Sequence, residues 1–221
     1  MNLFFLSNTP LFHGISEEHI EELLKRVKAT EKAYNKNEII LHAGSTTNEI
    51  GLLLSGSANL IVNFYWGNSH IFSHVETGTV FAEIFAAIPG KELICDVVAA
   101  EPCSVLFMNM DQMLNTYENS SPYHQRMVQN LVRICAAKSL ELSVRMLHTA
   151  PHSLRARLLS YLSEQAMINS NSHFKIPFNR QQLADYLAVD RSALSNELSK
   201  MQKDGLITIN KNEFTLCQMP K

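Results

Sequence analysis

The strongest constraint on the fold is one uninterrupted stretch in the second half of the chain. Between Pro122 and about Leu147 there is neither a glycine nor an internal proline, the two residues that most often end a helix. Apolar residues recur within it at helical spacing. The stretch is therefore predicted to be one long helix. Ala150-Pro151-His152-Ser153 is predicted to end it and to mark a domain boundary.

The predicted long helix carries enough apolar residues to face two neighbours. One set recurs at alternating steps of three and four, the spacing of a coiled-coil seam. It comprises Val128, Leu131, Cys135, Lys138 and Leu142, with Arg145 as a further polar member. A second set, Val132, Ile134 and Leu140, is expected to cover the N-terminal part of the chain. We favour a homodimer seam; the alternative is a helix packed only on its own domain.

The sequence before the long helix has a pattern typical of β-strands. From Glu38 to about Met110, short runs rich in Ile, Val, Leu and Phe are broken repeatedly by glycines and by Pro89-Gly90. This pattern predicts a β-sandwich or barrel. Gly67-Asn68 is expected to form the turn of a hairpin within it. A short amphipathic helix is predicted to precede the strands, from Ser16 to Val27.

Length and composition narrow the class of protein. The chain has 221 residues, 46% hydrophobic and 18% charged, which is typical of a globular protein with two domains of ordinary size. There is no apolar run long enough for a membrane span and no basic segment of a signal peptide, so a cytoplasmic location is expected. The four cysteines form no C-x-x-C pair and are expected to be buried thiols.

The charge is divided unevenly along the chain. Residues 1–149 hold ten Lys or Arg against fifteen Asp or Glu, whereas residues 150–221 hold nine against six. A basic C-terminal part beside an acidic N-terminal part indicates a polyanionic partner for the former, because phosphate contacts require Lys and Arg.

The segment from Asn179 to Met201 is predicted to be a helix-turn-helix. Leu183, Ala184 and Leu187 would form the inward face of the first helix, and Leu194, Leu198 and Met201 that of the second. Ala188-Val189-Asp190 would be the turn between them. After Gly205, residues 206–209 and 213–216 are predicted to pair as a hairpin, which would make the whole a winged helix-turn-helix.

With these apolar residues facing inward, polar residues remain on the outward face near the start of the second helix. Recognition helices present this part to DNA bases. An Arg can grip guanine, an Asn can pair with adenine, and hydroxyls bond bases or phosphates. The base-reading candidates are Arg191, Ser192, Ser195 and Asn196. Arg180 and Gln181 are predicted to contact phosphates, and Lys200 and Lys203 to add charge.

The order of these elements resembles that of the CRP/FNR family of bacterial transcription regulators. The resemblance rests on Pro10-Leu11-Phe12-His13-Gly14-Ile15, on Leu54-Ser55-Gly56-Ser57, on the long helix and on the winged motif. It implies an α+β protein with a cupin-like β jelly-roll sensor domain (1–121), a dimerisation helix (122–149) and a winged helix-turn-helix domain (150–221). It also implies a homodimer on a palindromic operator in double-stranded DNA, gated by a ligand, with RNA polymerase left open as a further partner.

The segment that resembles the family's cyclic-nucleotide cassette, from Gly78 through Ile84 to Cys95, lacks the expected anchor. Glu83 is retained, but Leu93-Ile94 stands where nucleotide-binding relatives are expected to carry Arg and Ser. A buried phosphate without a cation would lack its main charge compensation. Cyclic AMP is therefore not expected. An iron–sulfur cluster is not expected either, because the resemblance implies that the iron–sulfur branch of the family has a cysteine cluster near the N-terminus, and the first cysteine here is Cys95.

No cofactor is predicted, and the effector stays open. A small organic effector would be lined by the sensor-domain residues Phe72, Val80, Phe81, Glu83, Ile84 and Phe85; the alternative is no ligand at all. A cupin-type metal enzyme or a haem-based gas sensor on the same β-roll is kept as a rival. His70 and His74, an even number of residues apart, could face one side of a strand and favour that rival. A regulator without enzymatic activity is preferred, because the roll has no H-x-H motif with a following Glu and a later His, whereas a full recognition helix is present.

Overall fold

The structure is a computed structural model that describes residues 2–65, 67, 69–115 and 121–217. It contains helices α1 (Leu3–Ser7), α2 (Glu17–Arg26), α3 (Glu83–Ala87), α4 (Met110–Leu114), α5 (Pro122–Thr149), α6 (Leu154–Ile168), α7 (Arg180–Tyr186) and α8 (Arg191–Lys203). The strands are β1 (Thr30–Tyr34), β2 (Ile39–Leu41), β3 (Glu49–Ser55), β4 (Ser57–Asn63), β5 (Ser69–Glu76), β6 (Val80–Phe81), β7 (Asp96–Ala99), β8 (Cys103–Asn109), β9 (His173–Lys175), β10 (Ile207–Asn210) and β11 (Glu213–Leu216).

The chain divides into two compact units, and the boundary between residues 137 and 138 lies inside α5. The predicted long helix is confirmed, and it has 28 residues. The predicted three-part division at 121 and 149 stays a prediction.

The first unit is a sandwich of two four-stranded antiparallel sheets, as expected for a jelly roll. Their strand orders are β1-β8-β3-β6 and β2-β7-β4-β5. Alternation along β8 separates two cores: Val105 and Phe107 lie in one with Leu53, while Leu106 and Met108 lie in the other. The predicted hairpin is confirmed as the β4–β5 pair, although Asn68 of its turn lies outside the described residues.

Helices cover the outer face of the sheet that contains β8. Leu6 of α1, Leu23 of α2 and Met110 at the start of α4 pack there, together with Met127 and Leu131 of α5. The predicted amphipathic helix is α2, whose buried residues include Ile20 and Leu24.

These contacts correct the predicted seam of α5. Leu131 is 3% exposed and belongs to the core of its own unit, so it is not available to a partner. Val132, which was expected to cover the N-terminal part, is instead 61% exposed, and Leu140 is exposed as well. Ile134 does pack on the core as expected. Because consecutive helical residues are about 100° apart, a shift of one position moves a side chain from one face to another.

A line of exposed or partly exposed residues on α5, most of them apolar, has heptad spacing. Three members of the predicted seam remain in it, namely Val128, Cys135 and Leu142, while Leu131, Lys138 and Arg145 are replaced by their C-terminal neighbours. The corrected line, called here the α5 stripe, comprises Val128, Val132, Cys135, Ser139, Leu142 and Met146. Its steps of four and three are those of a two-stranded coiled coil. Cys135 is exposed, so the expectation of four buried thiols is wrong at this position.

The second unit is a winged helix-turn-helix. The three-stranded antiparallel sheet β10-β11-β9 packs with α6, α7 and α8 around one apolar core that includes Leu158, Phe174, Leu198 and Phe214. The predicted β10–β11 hairpin is confirmed, with Ile207 opposite Leu216. Ser153, the predicted cap of α6, accepts a hydrogen bond from the Ala156 amide (3.1 Å).

Gly56, between β3 and β4, is predicted to be intolerant of a side chain. Its φ is +74°, and an added Cβ would meet the Pro102 carbonyl and lie 2.8 Å from the Cys103 Cβ. Gly44 has a similar φ of +77° with open space around it. In urea unfolding, we expect Gly44→Ala to lower the free energy of unfolding by about 1–2 kcal/mol through backbone strain. Gly56→Ala should lose a further ~1–3 kcal/mol through overpacking; equal losses would show that the close approach is absent.

Candidate nucleic-acid interface and effector domain

Both helices of the helix-turn-helix begin at strong side-chain caps. Asn179 and Gln182 form a reciprocal capping box at the start of α7. Asp190 caps α8 by accepting hydrogen bonds from the amides of Ser192 (2.7 Å) and Ala193 (3.2 Å). A hydrogen bond from the Ser192 hydroxyl, together with those from the two amides, holds the pKa of Asp190 below its usual value. The start of α8 is thus fixed where the predicted reading residues lie.

The predicted inward and outward faces are both found. All six predicted inward residues are buried, namely Leu183, Ala184, Leu187, Leu194, Leu198 and Met201. Arg191, Ser192, Ser195 and Asn196 are exposed, as are Lys200 and Lys203 in the last turn of α8. Arg191 and Asn196 therefore face solvent while the opposite face of α8 lies in the core.

Some predicted DNA contacts are engaged locally in the protein alone. The Ser192 hydroxyl donates to Asp190, and the Ser195 hydroxyl donates to the Arg191 carbonyl (2.9 Å). The Gln181 amide donates to the Asp185 carboxylate (2.9 Å). Each hydroxyl keeps its acceptor lone pairs for a base or an ordered water, but donation to DNA would require it to leave its present partner.

A cationic cleft lies beside the recognition helices, between the start of α7 and the turn of the wing. It has a volume of about 400 Å³ and is lined by Arg180, Lys211 and Asn212, among others. The Arg180 guanidinium lies over the ring of Phe214, 5.3 Å from its centroid, and burial lowers the pKa of Arg180. Lys211 was missed from the sequence because Asn210-Lys211-Asn212 was interpreted only as a turn.

The structure does not bring the predicted effector residues together as one pocket. Val80 and Phe81 are adjacent on β6 and point to opposite faces, so each belongs to a different buried core. The predicted pocket is therefore wrong in placing both of them on one lining. Phe72 and Ile84 are exposed to solvent, and Phe85 is partly buried against the core that contains Phe81.

The segment that resembles a phosphate cassette has a buried carboxylate and apolar neighbours. Glu83 begins α3 and is buried, following Ala82 in a left-handed conformation (φ +61°). Leu93 is 3% exposed and part of the core, whereas Ile94 is 61% exposed. Neither position offers a side-chain hydrogen-bond donor to a phosphate.

The histidine pair considered for a metal or haem is wrong. His70 pairs with Val62 and His74 with Asn59, and those partners are three residues apart on β4. The cause is an extra residue, Phe72, which forms a bulge between Ile71 and Ser73 and reverses the alternation. His70 and His74 therefore lie on opposite faces of the sheet. Within the residues that the structure describes, no group of three His, Cys, Asp or Glu side chains could hold a metal ion.

A buried histidine joins the end of α5 to α6 in the second unit. His148, at the end of α5, lies 2.8 Å from Glu164 through Nε2 and 3.3 Å from the Ser160 hydroxyl through Nδ1. The rings of Tyr161 and Tyr186 pack beside it, 5.6 and 5.9 Å away. Burial lowers the pKa of His148, and the Glu164 carboxylate offsets part of that shift.

Fold and site together define a DNA-binding regulator with a separate sensor domain. The second unit presents an exposed polar helix face, a cationic cleft and a wing, and the first is a β-sandwich. Among the described residues, no helix is both long and apolar enough to cross a membrane.

Comparison with protein families agrees with this class. Residues 31–120 match the cyclic nucleotide-binding domain, and residues 156–221 match the Crp-like helix-turn-helix domain. Their combination supports placing the chain among DNA-binding transcription regulators of CRP/FNR type. No curated protein sequence matches the chain significantly.

Solved structures share this fold over nearly the whole chain. The catabolite activator protein of Thermus thermophilus is 20% identical, with a TM-score of 0.51 and coverage of 95% of this chain and 94% of that chain. The c-di-GMP responsive regulator CLP of Xanthomonas campestris is 16% identical, with a TM-score of 0.57 and coverage of 92% and 100%. CprK in complex with OCPA is 12% identical, with a TM-score of 0.63 and coverage of 89% and 91%.

Acid is predicted to destabilise the DNA-binding unit through His148. Because its pKa is lowered in the folded state, the unfolded chain binds the proton more readily, so stability is full above about pH 6.5 and falls as the pH drops below it. Urea unfolding followed by circular dichroism at about pH 7.5 and about pH 5.5 should show a smaller loss for His148→Gln than for the wild type. His124, whose pKa burial also lowers, contributes equally to both proteins. Identical losses would contradict this role of His148.

Proposed function

We propose that the protein is a homodimeric, sequence-specific transcription regulator that reads double-stranded DNA with α8 and is gated by a small effector other than a cyclic nucleotide. The observation that carries the proposal is the exposed set at the start of α8, backed by a fully buried opposite face. Arg191 would grip guanine and Asn196 would pair with adenine in the major groove. No enzymatic step is part of this function.

Phosphate contacts would hold the reading helix in register. Arg180 and Lys211 line the same cleft, so two cations from different elements face one volume that a backbone phosphate could enter. Burial already disfavours the charge of Arg180, and an arriving phosphate would compensate it. Gln181, Lys200 and Lys203 are exposed and would extend this contact along the DNA backbone.

The two kinds of contact predict different consequences of mutation. Asn196→Ala should weaken binding to the preferred duplex by about 1–3 kcal/mol and leave a scrambled duplex unaffected. Lys211→Ala should weaken both duplexes alike and reduce the salt dependence by about one phosphate contact. Fluorescence anisotropy at several salt concentrations measures both. If Asn196→Ala weakened both duplexes equally, α8 would not be the reader.

The α5 stripe is the surface that would pair two copies. Its apolar members Val132, Leu142 and Met146 are all exposed in the single chain, although burying a large side chain of this kind is worth about 2 kcal/mol. Two parallel copies would place these residues in successive layers of a coiled coil. The two reading helices of such a dimer would then address half-sites one helical turn apart.

Substitution on the two faces of α5 should separate pairing from folding. Val132→Asp should give folded monomers by sedimentation, because it places a carboxylate in the seam. Ala137→Asp, exposed about 140° further round the helix, should stay dimeric, whereas Leu131→Asp should unfold the first unit. Mild oxidation should also link two copies through Cys135 and fail in Cys135→Ser. A dimeric Val132→Asp would show that the stripe is not the seam.

The effector proposal rests on the residues at the cassette. A cyclic phosphate brings a full negative charge, and Leu93-Ile94 offers no cation to meet it, while Glu83 adds a carboxylate nearby. The family match names cyclic nucleotides, but the same fold occurs in a regulator described as c-di-GMP responsive and in CprK, which is complexed with OCPA. The fold by itself therefore does not require a cyclic mononucleotide.

Calorimetry with millimolar cyclic AMP and cyclic GMP tests this exclusion, and we expect no saturable heat. Lys91 is exposed near Leu93-Ile94 in the sequence. It is the cation that would meet the phosphate if the alignment of Leu93-Ile94 with the family's Arg and Ser were displaced by one or two residues. Saturable heat that disappears in Lys91→Ala would therefore overturn the exclusion and identify the anchor.

A further inference from the structure

The carbonyl groups at the end of α7 have unusual partners. Arg145, on α5, donates from Nη2 to the Asp185 carbonyl (2.8 Å) and from Nε to the Tyr186 carbonyl (3.0 Å). Its guanidinium also lies over the Tyr186 ring, 5.6 Å from the centroid. The last carbonyls of a helix lack partners within the helix, so one guanidinium here caps two of them.

A second guanidinium extends the same arrangement into the turn. Arg157 of α6 donates from Nη1 to the Leu187 carbonyl (3.2 Å) and from Nε to the Pro151 carbonyl (2.9 Å). Pro151 lies in the bend between α5 and α6, and Leu187 begins the turn between α7 and α8. One side chain therefore ties the bend that ends the long helix to the turn that starts the reading helix.

The turn itself is short and strained, so such support has an energetic role. Ala188 adopts a left-handed conformation (φ +53°), which costs a residue with a side chain about 1–2 kcal/mol. The turn closes through backbone hydrogen bonds from the Ala188 amide to the Asp185 carbonyl (3.2 Å) and from the Val189 amide to the Ala184 carbonyl (3.0 Å). Because α7 has only seven residues, this local network is short and gains from the added donors. The two guanidinia fix three consecutive carbonyls immediately before Ala188.

The reading helix is held from the same side. Arg155 of α6 donates from Nε to Glu197 (2.6 Å) and from Nη1 to Asp204 (2.7 Å), which lie in the middle and at the end of α8. The α5–α6 segment thus contacts the end of α7, the turn and the back of α8 through arginines.

We propose that Arg145 is a positioning residue for sequence recognition: by fixing the carbonyls of Asp185 and Tyr186, it sets the orientation of α8 from the end of α5. This inference rests on the proposed DNA-binding function. Arg145 was assigned by its spacing to a dimer seam, but its guanidinium is used inside its own unit. A lysine cannot replace it, because one ammonium group does not reproduce a planar fork aimed at two neighbouring carbonyls.

The experiment uses the full-length protein and a duplex that the wild type selects from a random library. Arg145→Lys should lose about tenfold in affinity for the selected duplex, the equivalent of one charge-assisted hydrogen bond. Its affinity for a scrambled duplex and the salt dependence of both should be unchanged, since Lys keeps the charge and no phosphate contact is lost. Arg133→Lys is the matched control on the same helix and should change neither affinity, because Arg133 donates to Asn130 within α5 (3.3 Å).

The ratio of the two affinities separates positioning from a general loss of structure. If Arg145→Lys keeps full affinity for the selected duplex, or if both affinities fall together with the midpoint of urea unfolding, the inference is wrong. A wild type that selects no sequence overturns the proposed function itself. A changed ratio at an unchanged unfolding midpoint supports Arg145 as the positioning residue.

Discussion

Everything proposed for the second unit depends on the burial of one face of α8. Leu194, Leu198 and Met201 anchor this helix in the core, and the helical repeat then leaves Arg191 and Asn196 no direction but outward. Each of the three contributes about 2 kcal/mol of apolar burial, far more than one exposed ion pair provides. Specific recognition needs this rigidity, because a bidentate contact with a base tolerates little displacement of the side chain.

The arginines of this unit divide into two groups with different roles. One group donates hydrogen bonds to backbone carbonyls and carboxylates within the protein; it comprises Arg145, Arg155 and Arg157. Arg191 is exposed and Arg180 lines the cationic cleft, and these two are the arginines that the proposed function assigns to DNA. The basic character of the C-terminal sequence therefore overstates the charge available for DNA, and part of it maintains the geometry that makes reading possible.

In the first unit, too, burial decides which side chains remain available at the surface. Its two cores are separated by one sheet, and adjacent residues such as Val80 and Phe81 are committed to opposite sides. Where a phosphate-binding relative would need a cation, this chain has Leu93 in the core and Ile94 at the surface. The second of these features is the basis of the proposal that the effector is not a cyclic nucleotide.

Sequence periodicity alone determined the helix-turn-helix, the wing hairpin, the long helix and the β-rich first part. In each case the spacing of the apolar residues fits only one type of secondary structure, so this spacing and the turn residues are enough to predict the element. Tertiary structure alone decided which face of α5 meets the core, because Leu131 and Val132 are both apolar and about 100° apart, and only packing against the sheet distinguishes them. It also decided the faces of His70 and His74, through a bulge at Phe72 that no local pattern announces. The partners of Arg145 are backbone carbonyls some forty residues away, and because every residue has such a carbonyl, the sequence holds no signal for the choice.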